Sequence, residues 1–285
     1  MILYDRDDHV TTITLNRPEK LNALDDALYE ALLRGLAAAE EDDEVKVVIL
    51  KGAGSSFCTG HDLTQVSSVY KDWTVPPSGE KGTRRPSQRA RLITDRRRMH
   101  ERWYRIFNFP KVTIAQVHGY CIEGGCNLQL LCDISFAAED AIFNYKGQRL
   151  AAGGASTLMV HLSNLIGYKK AREITLTGRD ITGKEAAEMG LINRALPPDR
   201  LAEETLKMAH TIAAMPRDAI VMGKVYSSLA YDLMGLNSAF NAFTIGHTLA
   251  TNLRFESDEY NFHRARRDHG ARDAIHKLDE FFEKS

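Results

Sequence analysis

The run VKVVILK, Val45 to Lys51, constrains the fold more than any other stretch of the chain. It is apolar almost without interruption, so both of its faces need cover, and its natural place is a strand inside an α/β sheet. Gly52 to Ser56 then turns the chain toward FCTGHDL, Phe57 to Leu63. Two other segments repeat this plan. Val10 to Leu15 is β-branched and stops at Asn16, Arg17 and Pro18, where proline removes a ladder donor. KVTIAQV, Lys111 to Val117, ends at His118 and Gly119.

Helical spacing separates these strands. Asp25 or Asp26 begins a helix whose stripe is Leu28, Leu32, Leu33 and Leu36, running to a solvated acidic linker, Glu40 to Glu44. Ile134 to Ala138 and Ala141 to Tyr145 read as further short strands, giving stacked β-β-α units of an α/β protein. Helices are expected at Thr157 to Ile166, Lys169 to Thr177, Thr182 to Met189 with Thr182 as cap, and Leu201 to Ala214. The tail from Arg217 is helical, and Ile275, Leu278, Phe281 and Phe282 form one apolar face that needs a partner.

With 37 basic and 38 acidic residues, whole-chain electrostatics favour neither nucleic acid nor an anionic membrane. MILYDRDDHV carries no targeting pattern and no apolar run is long enough to span a bilayer, so a cytoplasmic protein is expected. Cys58, Cys121, Cys126 and Cys132 lack metal-ligand spacing, so free thiols and no metal are expected.

The period changes from strand to helix at HGYCIEGGCNLQLLCD, where Leu128, Leu131 and Cys132 follow Gly124 and Gly125 at helical spacing. First-turn N–H groups have no internal partner, and glycine admits a ligand to the backbone, so a developing oxyanion is a suitable guest. His61 is an acid/base candidate because imidazole titrates near neutrality, and Glu123 is a second candidate beside Gly124. Asn127, one turn on, can orient water or a carbonyl, or cap the first turn. Tyr145 and Lys146 are placed at the pocket mouth, and Asp62 is placed to cap a following helix. Residues 81–105 form a basic segment with two readings. One is a solvated helix after a loop; the other is a phosphate-binding lid using Arg96, Arg97 or Arg98, with His100 or Glu101 adding acid/base chemistry. Trp103 and Tyr104 also suit stacking on RNA.

Taken in order, LNRPEKLNAL, SSFCTGHDL, VHGYCIEGGCNLQLLCDISFAAEDAIF and LTGRDITGKEAAEMGLIN resemble the crotonase, or enoyl-CoA hydratase/isomerase, family over roughly residues 10 to 215. The resemblance implies a crotonase-like repeated ββα superhelix over residues 1–200, a helical trimerisation region over 201–285, and a homotrimer or dimer of trimers. It implies an acyl-CoA substrate, with coenzyme A as carrier and no other cofactor. It places the oxyanion-hole N–H groups at His61 and Gly124, and coenzyme A binding at Lys20, Leu21, Ala23, His61, Asp62 and Leu63. The two glutamates of the family's hydratases correspond to Asn127 and Gly147, which supply no acid/base group, so ordinary hydration is expected to be poor. An atypical isomerase, C–C lyase or hydrolase, or hydratase follows. The alternatives are a catalytically silent acyl-CoA scaffold and an RNA-binding homologue. FNYKGQR and KKAREI are also similar to 1,4-dihydroxynaphthoyl-CoA synthase, but Ala151 and Ala152 stand where that enzyme has an acidic residue before a Gly-Gly pair.

Overall fold

The computed structural model describes residues 1–64, 88–150, 158–249, 255–256 and 258–283. The strands are β1 (Ile2–Asp7), β2 (Val10–Leu15), β3 (Val47–Gly52), β4 (Val112–Val117), β5 (Tyr120–Ile122), β6 (Ile134–Ala138), β7 (Ile142–Asn144), β8 (Ile181–Thr182) and β9 (Arg194–Leu196). One sheet has the order β1-β2-β3-β4-β6-β9, and a smaller one the order β5-β7-β8. After the antiparallel β1–β2 hairpin, every pairing in the large sheet is parallel.

The helices are α1 (Asp26–Glu41), α2 (Gln88–Asp95), α3 (Glu101–Phe107), α4 (Gly124–Leu130), α5 (Met159–Ile166), α6 (Tyr168–Thr177), α7 (Gly183–Glu188), α8 (Leu201–Ala213), α9 (Arg217–Leu233), α10 (Leu236–Leu249), α11 (Phe262–His269) and α12 (Ala271–Glu283). A π-helical turn, Arg96–His100, joins α2 to α3. Among the described residues no helix is long and apolar enough to cross a membrane.

The pleat explains why VKVVILK does not alternate. Ile13, Leu15, Val48, Leu50, Ala115 and Val117 point into the main core with Leu28, Leu32 and Leu36 of α1. Val10, Val47, Ile49 and Ile114 point the other way, against Ala209, Ile212 and Ala213 of α8. Each fully buried aliphatic side chain contributes about 1.5–3 kcal/mol, so covering both faces outweighs a one-sided arrangement.

Local signals set the helix starts. Asp25 caps α1, accepting from the Leu28 N–H at 2.7 Å, and Thr182 caps α7, accepting from the Glu185 N–H. β1 was not expected from the sequence: it pairs with β2 alone and presents Leu3 and Tyr4 to solvent, so it has no alternation to read. Close backbone approach fixes the turn before α4, where a Cβ on Gly125 would stand 2.2 Å from the Cys58 carbonyl oxygen. All four cysteines are free. Ala151–Gly154 and the Pro/Gly/Ser-rich stretch up to residue 87 lie outside the described residues.

Candidate active site

The loops after β2 and β3 meet at the start of α4. Leu24 and His61 form a parallel bridge: the Leu24 N–H donates to the Gly60 carbonyl at 2.7 Å and the Asp62 N–H to the Leu24 carbonyl at 2.9 Å. The amides on either side of His61 are used, so its own N–H points out of the pair and finds no acceptor among the described residues. The Gly124 N–H, first in α4, likewise donates to none among them. Gly60, at φ +82°, brings the two together: a Cβ on Gly124 would lie 3.2 Å from both the Gly60 Cα and the His61 Nδ1. Two unengaged donors from separate loops thus stand side by side at a helix N-terminus, where negative charge is favoured.

Glu123 carries the local strain. Its φ of +47° and ψ of −103° is a conformation non-glycine residues avoid, at a cost of order 1–3 kcal/mol. The backbone is pinned there by its N–H to the Asn144 carbonyl at 2.9 Å and by its carbonyl, which accepts from the Asn127 N–H at 2.9 Å. The twist swings the buried side chain back, and its Oε1 accepts from the Gly147 N–H. A carboxylate therefore stands over the very residue that supplies no side chain. Asn127 is buried, and its Oδ1 accepts from the Leu158 N–H at 3.3 Å, anchoring the entry to α5. Tyr145 is buried rather than at a mouth; burial, and then the thiols of Cys126 and Cys121 and the Glu123 carboxylate, push its phenol pKa well up.

The loop holding Lys20, Leu21 and Ala23 is clipped from beneath. Arg17 donates to the Ala23 carbonyl at 2.9 Å and to Asp62 Oδ2 at 2.8 Å. Asn22 donates to the carbonyls of Ala53 and Ser56, each at 2.8 Å. Lys20 and Leu21 remain exposed. Asp62 is not seen capping a helix: its Oδ1 accepts from the Thr64 N–H and hydroxyl, closing a local turn. Burial raises the Asp62 pKa, but the Thr64 and Arg17 bonds outweigh it and leave the group below its ordinary value. Leu63 accepts from Arg266 of α11 at 3.1 Å, and Lys146 pairs with Asp279 of α12 at 3.2 Å, so the C-terminal helices close on these loops.

The described part of the basic segment, residues 88–105, packs against α1 and brings Trp103 to 6.4 Å from the His61 ring, forming a wall there. Arg98 and Arg102 both pair with Asp26 at the start of α1, and Arg102 lies 4.9 Å over the Tyr29 ring. Arg98 is therefore engaged within the fold instead of free for a lid, while Arg96 and Arg97 are exposed. Trp103 is fully buried, edge-on to Tyr29 at 5.7 Å, which removes it as a stacking surface for RNA. Glu101 is exposed, whereas His100 is partly buried and stacks on Tyr104 at 6.0 Å. The His61 ring faces this wall, 3.4 Å from the Tyr29 hydroxyl. Burial, then His247 and Arg102, lower its pKa to about 4, so it is neutral at pH 7.

His161, on α5, is 4 % exposed between Phe107 and Phe240, and neither ring nitrogen has a hydrogen-bond partner among the described residues. Burial lowers its pKa from 6.5 to about 4. Below pH 6.5 the unfolded chain takes up this proton and the folded one does not, so stability is full above 6.5 and falls until pH reaches about 4. The shift corresponds to about 3 kcal/mol. Denaturant midpoints from pH 8 to 4 are expected to fall less steeply in His161→Leu than in the parent protein; equal slopes would contradict this assignment.

Residues 5–242 match the family described as Enoyl-CoA hydratase/isomerase. A peroxisomal Delta(3,5)-Delta(2,4)-dienoyl-CoA isomerase of Arabidopsis thaliana is 34 % identical over 194 residues, covering 68 % of each chain. A crystal structure of an enoyl-CoA hydratase/isomerase from Xanthobacter autotrophicus Py2 superposes with a TM-score of 0.81 at 32 % identity, covering 98 % of this chain and 97 % of that one. An enoyl-CoA hydratase structure from Mycobacterium smegmatis gives 0.82 at 28 % identity, covering 98 % and 93 %.

Proposed function

Because the chain belongs to the enoyl-CoA hydratase/isomerase family, we propose that it is an acyl-CoA thioester enzyme that forms an enolate and shifts a proton, an isomerase in preference to a hydratase. The backbone N–H groups of His61 and Gly124 hold the thioester oxygen, and Glu123 transfers a proton at the acyl chain. The observation that carries this reading is the convergence of two unengaged donors beside the Glu123 carboxylate. Lys20, Leu21, Ala23, Asp62 and Leu63 form the coenzyme A loops, and coenzyme A is required only as part of the substrate.

Isomerisation is favoured over hydration on chemical grounds. Hydration needs a water held and activated together with a proton donor, and the buried amide of Asn127, engaged by Leu158, exchanges no proton at neutral pH. A proton shift needs only a proton-transfer group and an oxyanion hole. Mass-resolved products are expected to show 3-butenoyl-CoA converted to the 2-enoyl isomer faster than crotonyl-CoA is hydrated. The reverse order would overturn the isomerase assignment. The substitution of both hydratase glutamates also supports a second reading, a silent scaffold, which requires acyl-CoA binding without any product.

The assembly reading rests on α9. Arg217 and Lys224 tie this helix to the body through Glu44 and Asp133, yet Met222, Val225, Tyr226, Leu229 and Leu233 are 59–87 % exposed at helical spacing. An apolar stripe of this extent suits burial against further copies of the chain in a trimer or dimer of trimers. Val225→Asp with Leu229→Asp is expected to release monomers in sedimentation, and a parent protein that sediments as a monomer would contradict the assignment.

A further inference from the structure

The enolate chemistry draws on the His61 backbone and leaves its side chain idle, yet the ring is built into the same corner. One end of it is fixed. Nε2 lies 3.4 Å from the Tyr29 hydroxyl, and that hydroxyl, on a residue 2 % exposed, has no other hydrogen-bond partner among the described residues. A buried hydroxyl proton without an acceptor is costly, so Tyr29 donates and Nε2 accepts. Burial, then His247, which Asp95 holds at 3.0 Å, and Arg102 disfavour the imidazolium, so the ring carries a single proton at neutral pH. With Nε2 accepting, that proton sits on Nδ1.

Nδ1 faces the start of α4. It stands 3.2 Å from the place a Cβ on Gly124 would take, and the other two atoms nearest to that place, Gly60 Cα and Leu24 Cδ1, are carbons. The wall offers it no acceptor. Arg102 is a donor only, and so is Trp103, whose ring is 6.4 Å away and whose own Nε1–H has no acceptor among the described residues. The Nδ1–H is therefore left unengaged against the Gly124 backbone, where the His61 and Gly124 N–H groups already converge.

We propose that the His61 Nδ1–H is a third donor to the thioester oxygen, with Tyr29 as the positioning residue that fixes its tautomer. This rests on the acyl-CoA reading above and makes the ring a neutral hydrogen-bond donor instead of an acid or a base. Tyr29 is itself held, because Arg102 lies 4.9 Å over its ring and pairs with Asp26 at 3.0 Å. Enolate formation moves the carbonyl π pair onto the oxygen, so a fixed donor there strengthens its bond on the way to the enolate. Such a donor acts on kcat more than on KM.

The test changes the ring while keeping the backbone N–H. His61→Leu is expected to lower kcat for isomerisation of 3-butenoyl-CoA by about 10²–10³-fold, with KM within about threefold. His61→Asn puts an amide N–H near the place of Nδ1 and exchanges no proton at neutral pH, so it is expected to recover about tenfold or more of that loss. Circular dichroism establishes that each variant is folded. Nitrogen-15 spectra of the histidine-labelled parent protein, assigned through the ring protons of Tyr29 and Trp103, are expected to show the His61 proton on Nδ1, and Tyr29→Phe to shift it toward Nε2. A proton found on Nε2 in the parent protein, or full turnover in folded His61→Leu beside its loss in Gly124→Pro, would overturn this inference and leave the acyl-CoA reading standing. His61→Asn as inactive as His61→Leu would make the ring an acid or base and overturn it too. A parent protein that turns over no acyl-CoA and leaves the carbonyl band of bound crotonyl-CoA unshifted would sink both.

Discussion

Glu123→Gln is expected to lower isomerisation by about 10²–10⁴-fold while acyl-CoA binding persists, the usual cost of removing a positioned proton-transfer group. The amide keeps an oxygen for the Gly147 N–H, so the side chain retains its place and only the exchangeable proton is lost. Glu123→Gly separates chemistry from stability. It relieves a backbone held at φ +47°, worth roughly 1–3 kcal/mol, and forfeits a charge-assisted hydrogen bond of about 1.5–3 kcal/mol. The terms oppose each other at similar size, so the melting temperature is expected to move by only a few degrees while turnover disappears. A glycine variant that melts as predicted and retains full isomerisation would remove Glu123 from the chemistry.

Gly124→Pro is expected to cost about 10²–10³-fold in kcat, the penalty for deleting one oxyanion-hole donor. Position 124 is the first of α4, where proline is tolerated because its N–H has no helical partner. The residue before proline prefers extended backbone, however, and Glu123 sits at ψ −103°, so local rearrangement has to be controlled for. Gly124→Ala supplies the control: it keeps the N–H and adds a Cβ 3.2 Å from the Gly60 Cα, tight but short of a collision. Substantial turnover in the alanine variant with near-complete loss in a folded proline variant assigns the loss to the N–H. Equal losses would mean that crowding, and not the donor, governs the site.

How far the sequence foretold these features depends on the range of the interaction that creates them. The parallel core was legible because VKVVILK has to be covered on two faces, and α1 and α7 because Asp25 and Thr182 cap locally. β1 escaped because an edge strand exposed along nearly all of its length carries no alternation, and β8 and β9 because two or three residues show no period. Gly124 was legible as a strand-to-helix turn that reads along the chain, whereas His61 was proposed as its partner donor from the family resemblance. Glu123 was proposed only as a neighbour of Gly124; its reach to Gly147 follows from a backbone twist no residue type advertises. The ion pairs of Arg98 and Arg102 with Asp26, and the bond of His247 to Asp95 across 152 positions, arise from helix packing and have no local signature.

The central claim is that two backbone donors polarise a thioester carbonyl. The most direct measurement is the carbonyl stretch of crotonyl-CoA labelled with 13C at C1, recorded by difference infrared spectroscopy free and bound. The account predicts that the band shifts to lower frequency on binding to the parent protein and that the shift shrinks in folded Gly124→Pro, as it must if hydrogen bonds to the oxygen weaken the C=O bond. A bound thioester whose carbonyl band stays at its free position would contradict it.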